Sequence, residues 1–263
     1  MHPHTRRLSR FTLSLATTLA VAAPAEAQLR DGFRSTLAPR GDDSVTPFQE
    51  FGFDANINGN VVNSASACMN GYLSLGIVFE PAFCIFRGQT AALNTLPQFA
   101  EIFGTAVVGA YRDLNSNNTA SGQLGWGSGT VGGNQAFGFT WDGVFTFGTT
   151  TRNFFQVLFI DRSGDFGAGD FDVEYNYGAL GEEGGVGGAA DDGGFSGTPL
   201  AASVGVASNS RAIQCFRNGA VNNQACLAQN VIPEPSTVAL TVTGLAVLAG
   251  AGLRRRRPSA AAA

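Results

Sequence analysis

The sequence predicts an all-β protein, either a sandwich or a strongly curved antiparallel sheet. Residues 171–177 alternate strictly between apolar and polar side chains, which indicates a strand with one buried face. Residues 135–141 repeat the pattern and place Phe137, Phe139 and Trp141 on a single face. Glycine, asparagine, aspartate and serine separate such runs and form turns, and no window keeps a helical period. Short strands at this spacing favour a sandwich or a curved sheet.

The other strands follow from shorter apolar runs at residues 71–75, 107–111, 144–147 and 154–160. The last of these runs is almost continuously apolar, which is typical of a central strand covered on both sides. Residues 178–197, by contrast, are rich in glycine and acidic side chains. They predict a long mobile loop, either a plain linker, which we favour, or a binding loop.

The first 27 residues have the organisation of a secretory signal peptide. Arg6, Arg7 and Arg10 precede a short apolar stretch at residues 11–23, and residues 25–27 read Ala-Glu-Ala, a small-x-small cleavage site. The mature chain is therefore expected to begin at residue 28, with residues 28–50 as a lead-in to the domain.

The other chain end predicts a membrane-spanning helix with a basic cluster behind it. Residues 236–253 carry no charge and would extend about 27 Å as a helix, close to the thickness of a hydrocarbon core. A Pro-Glu-Pro motif precedes this segment and four arginines, expected to stay on the cytoplasmic side, follow it. The motif consists of Pro233, Glu234 and Pro235, and the basic cluster consists of Arg254, Arg255, Arg256 and Arg257.

Residues 232–257 resemble the PEP-CTERM sorting signal of Gram-negative bacteria, with residues 258–263 as a short tail. The resemblance implies that an exosortase cuts at the Pro-Glu-Pro motif, after an intermediate held in the inner membrane. The processed protein would then reach the cell surface or the extracellular matrix. The alternative is an ordinary membrane anchor that is never cut.

The charge and composition exclude several classes of function. The net charge is −4, and the region between the two processed ends is more acidic still, because seven of the sixteen arginines lie in those ends. Nucleic acid is therefore not an expected partner. His2 and His4 lie in the signal peptide and the chain has no lysine, which removes histidine-based nucleophile systems, Schiff-base chemistry and histidine-ligated zinc. Carboxylates, tyrosines or an oxygen-ligated metal remain, but no catalytic set is identifiable, and we do not predict an enzyme.

Four cysteines in an exported chain predict disulfides. Their separations favour Cys68 with Cys84 and Cys215 with Cys226 among the three pairings that four cysteines allow. Free buried thiols are the alternative, and a zinc site is less expected because the close C-x-x-C spacing is missing. Residues 208–231 would then be a disulfide-containing linker.

The middle of the chain resembles the NIDO domain, the extracellular domain first named from nidogen. The most specific block is residues 160–177, and the resemblance extends over residues 51–207. It also includes the successive strand-like segments 51–53, 70–76, 107–113 and 155–158. The resemblance implies adhesion to extracellular matrix and brings no recognised catalytic residues.

A weak calcium site is the one cofactor hypothesis. Asp113, Asn115 and Asn117 form D-x-N-x-N, the opening of a calcium loop, but the glycine at position six and the glutamate at position twelve are missing. Asp170 belongs to a second group of aspartates around a glycine-rich turn. Asp and Asn at such positions more often bond their own backbone, so turn structure is the favoured interpretation.

Aromatic side chains suggest a second candidate function, a lectin-like module that binds extracellular polysaccharide. Trp141, Tyr175 and Tyr177 share strand faces with phenylalanines, which predicts that they are buried. Trp126 lies in the glycine-rich stretch 122–129, which predicts a mobile turn where an aromatic ring is free to contact a sugar. The expected partners are thus an exosortase, a matrix protein or polysaccharide, and the membrane before processing.

Overall fold

The structure, a computed structural model, describes residues 29–76, 84, 95–182, 184–222, 224 and 226. Within these residues the chain is mostly β, with antiparallel strands in two sheets and one short helix. The elements in chain order are β1 (Thr36–Leu37), β2 (Gln49–Ile57), β3 (Asn60–Cys68), β4 (Tyr72–Leu75), α1 (Leu96–Phe103), β5 (Thr105–Val108), β6 (Leu114–Asn115), β7 (Gln123–Val131), β8 (Asn134–Thr146), β9 (Arg152–Asp161), β10 (Phe171–Tyr177), β11 (Gly188–Asp191), β12 (Leu200–Ser203), β13 (Ser210–Arg217) and β14 (Ala220–Val221).

The two sheets have different strand orders. Sheet A runs β1-β7-β8-β9-β10-β13-β14, with β6 also paired to β8, and sheet B runs β12-β11-β5-β4-β3-β2. The chain therefore leaves sheet A after β10, adds β11 and β12 to sheet B, and returns as β13 beside β10. The predicted all-β class is confirmed.

Aromatic side chains from both sheets meet in the main core. Phe51 of sheet B stacks on Phe159 of sheet A with ring centroids 4.5 Å apart. The indole Nε1 of Trp141 donates a hydrogen bond to the carbonyl oxygen of Met69 at 2.8 Å. The hydroxyl of Tyr177 donates to the carbonyl oxygen of Gly109, also at 2.8 Å. The polar tips of buried rings thus hold sheet A to sheet B, and the architecture is a sandwich.

The helix α1 was not expected from the sequence. Its buried residues Leu96, Phe99, Ala100 and Phe103 have the helical spacing i, i+3, i+4, i+7. At its start the Gln98 side chain accepts a hydrogen bond from the backbone N–H of Thr95. Eight residues provide only one such repeat, which is too short to stand out in a sequence dominated by strands. Packing against the aromatic rings of sheet B supplies the stability that so short a helix lacks alone.

The predicted loop at residues 178–197 contains a buried strand, so this prediction was wrong. β11 pairs with β5 on one side and with β12 on the other. Ala189 and Ala190 are fully buried. A Cβ on Gly188 would lie within 2.9 Å of the Ser203 Cα, so the backbones approach closely only because this residue is glycine. The small residues that suggested a loop are those a tightly enclosed strand requires.

Residues 208–231, predicted as a linker, also contribute to the sheet. β13 pairs with β10 along the whole length of β10, from Phe171 opposite Phe216 to Tyr177 opposite Ser210. The predicted cysteine pairing is confirmed: disulfides join Cys68 to Cys84 and Cys215 to Cys226. The second disulfide thus closes a loop onto a strand of sheet A.

Strand β10 is buried on both faces, which corrects the half-buried strand predicted for residues 171–177. Its aromatic residues face sheet B, and its polar residues lie on the outer face of sheet A. There Asp172 accepts bonds from Arg162 Nε at 2.6 Å and Arg217 Nη2 at 2.8 Å. Glu174 accepts a bidentate pair from Arg30, at 2.6 and 2.9 Å. Buried carboxylates are tolerated here because each is paired and hydrogen-bonded.

The N-terminal segment at residues 29–38 covers the rest of this outer face. The Arg30 backbone N–H donates to Gln156 Oε1, and Gln156 Nε2 donates back to the Arg30 carbonyl oxygen, both at 3.0 Å. Phe33 packs in a small apolar cluster with Leu158 and Ile160. This cover explains why β9 is apolar on both faces, as the sequence predicted.

The signal peptide, the Pro-Glu-Pro motif, the predicted membrane helix and the arginine cluster lie outside the described residues. Among the residues that are described, no helix is long and apolar enough to cross a membrane.

We predict that Asp172→Ala destabilises the protein by about 3 kcal/mol, because it leaves two arginines beside a buried site without their shared carboxylate. The matched control is Asp165→Ala, which removes an exposed partner of the same Arg162 and should cost less than about 1 kcal/mol. Urea unfolding of both variants measures the difference. Equal losses in the two variants would show that the buried network does not stabilise the fold.

Candidate functional site

The predicted calcium loop is an ordered turn on sheet A. Leu114 and Asn115 form β6 and pair with the end of β8. The Asn115 side-chain oxygen accepts a hydrogen bond from the backbone N–H of Asn117 at 2.7 Å. The carbonyl oxygen of Asp113 accepts one from the N–H of Phe147 at 2.8 Å. Asn115 thus bonds its own backbone, as the turn interpretation expects.

Asp170, the other predicted ligand, lies at the opposite end of the sandwich. Asp113 is close to the end of β8, where β9 begins, whereas the Asp170 carbonyl accepts from Arg162 N just after β9 ends. Ten residues of β9 span about 30 Å, so Asp113 and Asp170 cannot share one ion. The Asp170 carboxylate accepts from the backbone N–H of Asn218 at 2.7 Å. Within the described ranges, no three acidic, cysteine or histidine side chains are arranged to hold a metal.

An acidic cluster that the sequence did not reveal surrounds Asp113. Burial, followed by the charges of Asp42 and Asp43, raises the pKa of Asp113 to about 6. Burial and the charge of Asp43 also raise the pKa of Asp42. Asn70 partly offsets the repulsion, because its Nδ2 donates to Asp43 Oδ1 at 2.8 Å.

Hydrogen bonds between two distant loops bring these carboxylates together. The backbone N–H of Ser116 donates to the carbonyl oxygen of Gly41 at 2.8 Å, and the N–H of Gly41 donates to Ser116 Oγ at 3.0 Å. Asn70 Oδ1 accepts from the N–H of Leu114 at 2.8 Å. No sequence signal links residues 41–43 to residues 113–116, which are about seventy positions apart, so only the folded chain shows the cluster.

Trp126 belongs to a strand and not to a mobile turn, so that expectation was wrong. It lies in β7, opposite Thr36 of β1 and Phe139 of β8, and is half-buried against the main core. The glycines around it have a packing role, because a Cβ on Gly127 would lie 2.8 Å from the Gly32 carbonyl oxygen and one on Gly129 would lie 3.0 Å from the Phe33 ring. Alternate glycines in β7 therefore make room for the N-terminal segment.

The other aromatic candidates are buried. Trp141, Tyr175 and Tyr177 lie in the main core, as predicted. Tyr72 and Tyr111 lie in a second cluster with Phe99 of α1. Burial and the neighbouring Tyr177 raise the pKa of Tyr175, whose hydroxyl donates to Gln214 Oε1.

The exposed aromatic rings of the described residues are phenylalanines, which the sequence analysis had not singled out. Phe147, Phe166 and Phe195 keep 50%, 51% and 74% of their surface exposed. Phe166 also packs against a cation, because the Arg217 guanidinium lies 4.1 Å from its ring centroid. Phe147 follows β8 directly, next to a cleft.

This cleft, which we call the amide cleft, lies between residues 115–118 and residues 145–151 and has a volume of about 730 Å³. Asparagine and threonine side chains dominate its lining. Asn115 and Asn117, predicted as calcium ligands, are both part of one wall. The structure thus places these two residues at an uncharged polar surface beside the acidic cluster.

One comparison with known proteins gives a match. A family model described as NIDO related matches residues 27–238. The match includes the lead-in, β13 and both disulfides, so it extends beyond residues 51–207, over which the resemblance was noted in the sequence. No curated protein and no solved structure matches the chain.

We predict that Asp113→Asn stabilises the protein at pH 7 and flattens its pH dependence. The folded state raises the pKa of Asp113 from 3.8 to about 6. It therefore binds the proton more tightly than the unfolded state does. The contribution of Asp113 to stability is complete below pH 3.8 and is lost as the pH rises through 6. Thermal unfolding between pH 4 and pH 7, with Asp54→Asn at an exposed position of β2 as control, tests this. A parallel pH dependence in wild type and Asp113→Asn would contradict it.

Proposed function

Because the chain belongs to the NIDO-related family, we propose that it is an exported adhesion protein that attaches cells to extracellular matrix. The observation that carries this proposal is the family match over residues 27–238, which covers the described part of the chain. The family character suggests an extracellular, adhesion-type domain. The partner is a component of the extracellular matrix, either a protein or a polysaccharide.

Two further observations support export. Each disulfide is attached to a strand of the sandwich, through Cys68 of β3 and Cys215 of β13, and disulfides persist in oxidising compartments outside the cytoplasm. Residues 1–27 have the charge and hydrophobicity pattern of a secretory signal. The remaining chain is acidic, which disfavours nucleic acid as a partner.

We further propose that the protein is sorted through its C-terminus. In this proposal, residues 236–253 hold an inner-membrane intermediate, Arg254 to Arg257 keep the end in the cytoplasm, and an exosortase cuts at the Pro-Glu-Pro motif. The product is delivered to the surface or matrix of a Gram-negative cell. The sequence pattern alone supports this step.

The lectin-like alternative no longer has a mobile aromatic residue to support it, because Trp126 lies in a strand and is half-buried against the core. We propose no catalytic activity. The carboxylates at the centre of sheet A, Asp172 and Glu174, are engaged in ion pairs, and the four tyrosines are buried. Calcium likewise has no part in the proposed function.

We predict that deleting the gene reduces attachment of the producing cells to matrix-coated surfaces several-fold. The full-length gene should restore attachment. The measurement counts attached cells after washing, on surfaces coated with matrix from the same organism and on uncoated surfaces as control. Unchanged attachment to the coated surface would refute the adhesion function.

We predict that the surface form lacks residues 238–263, which intact-mass measurement of the wild-type protein tests. Replacing Pro233, Glu234 and Pro235 by alanine should trap a longer, membrane-held form, because the exosortase motif is removed. The control replaces the nearby Gln229 and Asn230 by alanine and should leave processing unchanged. A wild-type surface protein that still carries its arginine cluster would show that the sorting proposal is wrong.

A further inference from the structure

The amide cleft presents neutral hydrogen-bonding groups. Three asparagines of residues 115–118 and four threonines of residues 146–151 line it, together with the ring of Phe145. No ionisable side chain is among the lining residues. Its volume of about 730 Å³ lies in the range of sites that bind small molecules.

Much of the hydrogen-bonding capacity of this lining is unused among the described residues. Asn115 and Asn118 each accept one local backbone N–H through Oδ1, at 2.7 and 2.9 Å, while their Nδ2 donors have no partner there. The Asn117 amide and the Thr150 hydroxyl are exposed and likewise make no side-chain bond within the described part. An amide offers a donor and an acceptor side by side, and a hydroxyl offers both on one atom.

The wall formed by residues 115–122 is held in place before any ligand arrives. Arg40 Nη1 donates to the carbonyl oxygens of Ser116 at 2.8 Å, Asn118 at 3.0 Å and Ser121 at 3.1 Å. One cation thereby fixes three successive parts of the loop. A ligand that binds such a wall loses little affinity to ordering of the protein.

The opposite wall is also fixed. The backbone N–H of Thr146 donates to the Thr151 carbonyl oxygen at 2.9 Å, and the Thr149 hydroxyl donates to the Thr146 carbonyl at 3.0 Å. Arg152 Nη2 donates to the Ala120 carbonyl at 2.8 Å and so joins the two walls. Its guanidinium also lies 4.9 Å from the centroid of the Phe145 ring.

Charge decides which ligand fits this cleft. The two cations nearest the cleft, Arg40 and Arg152, donate to backbone carbonyls of its walls and are not among its lining residues. The acidic cluster of Asp42, Asp43 and Asp113 lies beside one wall, and the chain as a whole is acidic. The lining therefore offers an anionic ligand no charged partner, while a polyhydroxylated neutral ligand meets the amides and hydroxyls that it can bond.

We propose that the amide cleft binds a segment of a neutral polysaccharide, through hydrogen bonds from its asparagine and threonine side chains to sugar hydroxyls. This inference rests on the proposed adhesion function and names the ligand class for it. It replaces the aromatic platform that the sequence suggested at Trp126 of β7 with an amide and hydroxyl surface at the end of β8.

The test uses the protein in the form that its host produces and processes. This protein is run through native gels that contain polysaccharide from the host matrix. Anion exchange first divides that polysaccharide into a neutral and an acidic fraction. The neutral fraction should retard the wild-type protein. The double variant Asn117→Ala, Thr150→Ala should bind at least tenfold more weakly, and its melting temperature should stay that of wild type because both residues are exposed.

Two controls locate the site. The matched variant Asn63→Ala, Thr130→Ala changes the same residue types at exposed positions of β3 and β7 and should bind as wild type does. Trp126→Ala should also bind normally. The inference is overturned if the neutral fraction does not retard the wild type, if the acidic fraction alone does, or if the cleft variant binds as tightly as wild type.

The outcome is separable from that of the adhesion experiment. Attachment lost on gene deletion, with no retardation by the neutral fraction, would leave the adhesion function in place and refute the cleft as its ligand site. Retardation that depends on Asn117 and Thr150, with unchanged attachment on gene deletion, would support the cleft and refute the adhesion function.

Discussion

The burial of β10 on both faces is the constraint on which the rest of the sandwich depends. One face carries the aromatic residues that pack against sheet B, and the other carries Asp172 and Glu174. A buried carboxylate costs several kcal/mol unless cations and hydrogen-bond donors surround it, roughly the margin by which a domain is stable. The cations come from the N-terminal segment, the turn before β10, and β13 on its far side. They are Arg30, Arg162, Arg211 and Arg217. The segments that the sequence predicted as a lead-in (residues 28–50) and a linker (residues 208–231) thus supply required parts of the domain.

Small residues have a second structural role, which is to let backbones approach each other. In β7 the glycines leave room for the N-terminal segment, and in β11 glycine and alanine fit between β5 and β12. Glycine in a strand weakens it in isolation, because there is no side chain to pack. Here the neighbouring segment supplies the packing that the glycine lacks. A glycine-rich composition in this protein therefore marks close contact between segments as often as it marks a loop.

The surface that carries the proposed function lies at one end of the sandwich, where β8 ends and β9 begins. Residues 115–118 fold back over this end because Arg40 and Gly41 hold them from the far side. The same fold places three carboxylates beside the amide cleft and raises the pKa of Asp113. The contacts of Arg40 and Gly41 with residues 115–118 thus form both the cleft and the acidic cluster. The lining of the cleft is neutral and rich in amides and hydroxyls, which is the physical basis for selecting a neutral polymer.

The sequence by itself determined the β class, the burial of Trp141, Tyr175 and Tyr177, and the cysteine pairing, since alternation and short loop separations are local properties. The resemblance of residues 160–177 to the NIDO domain also pointed to the family. Only the tertiary structure decided that β11 and β13 are strands, that α1 is a helix, and that Asp172 is buried. It also decided that Asn115 and Asn117 line a cleft, whereas Asp170 lies at the opposite end of β9. Each of these features depends on a segment far away in the chain. That distant segment, and not the neighbours in sequence, determines whether a buried charge is paired and whether a glycine-containing strand is stable.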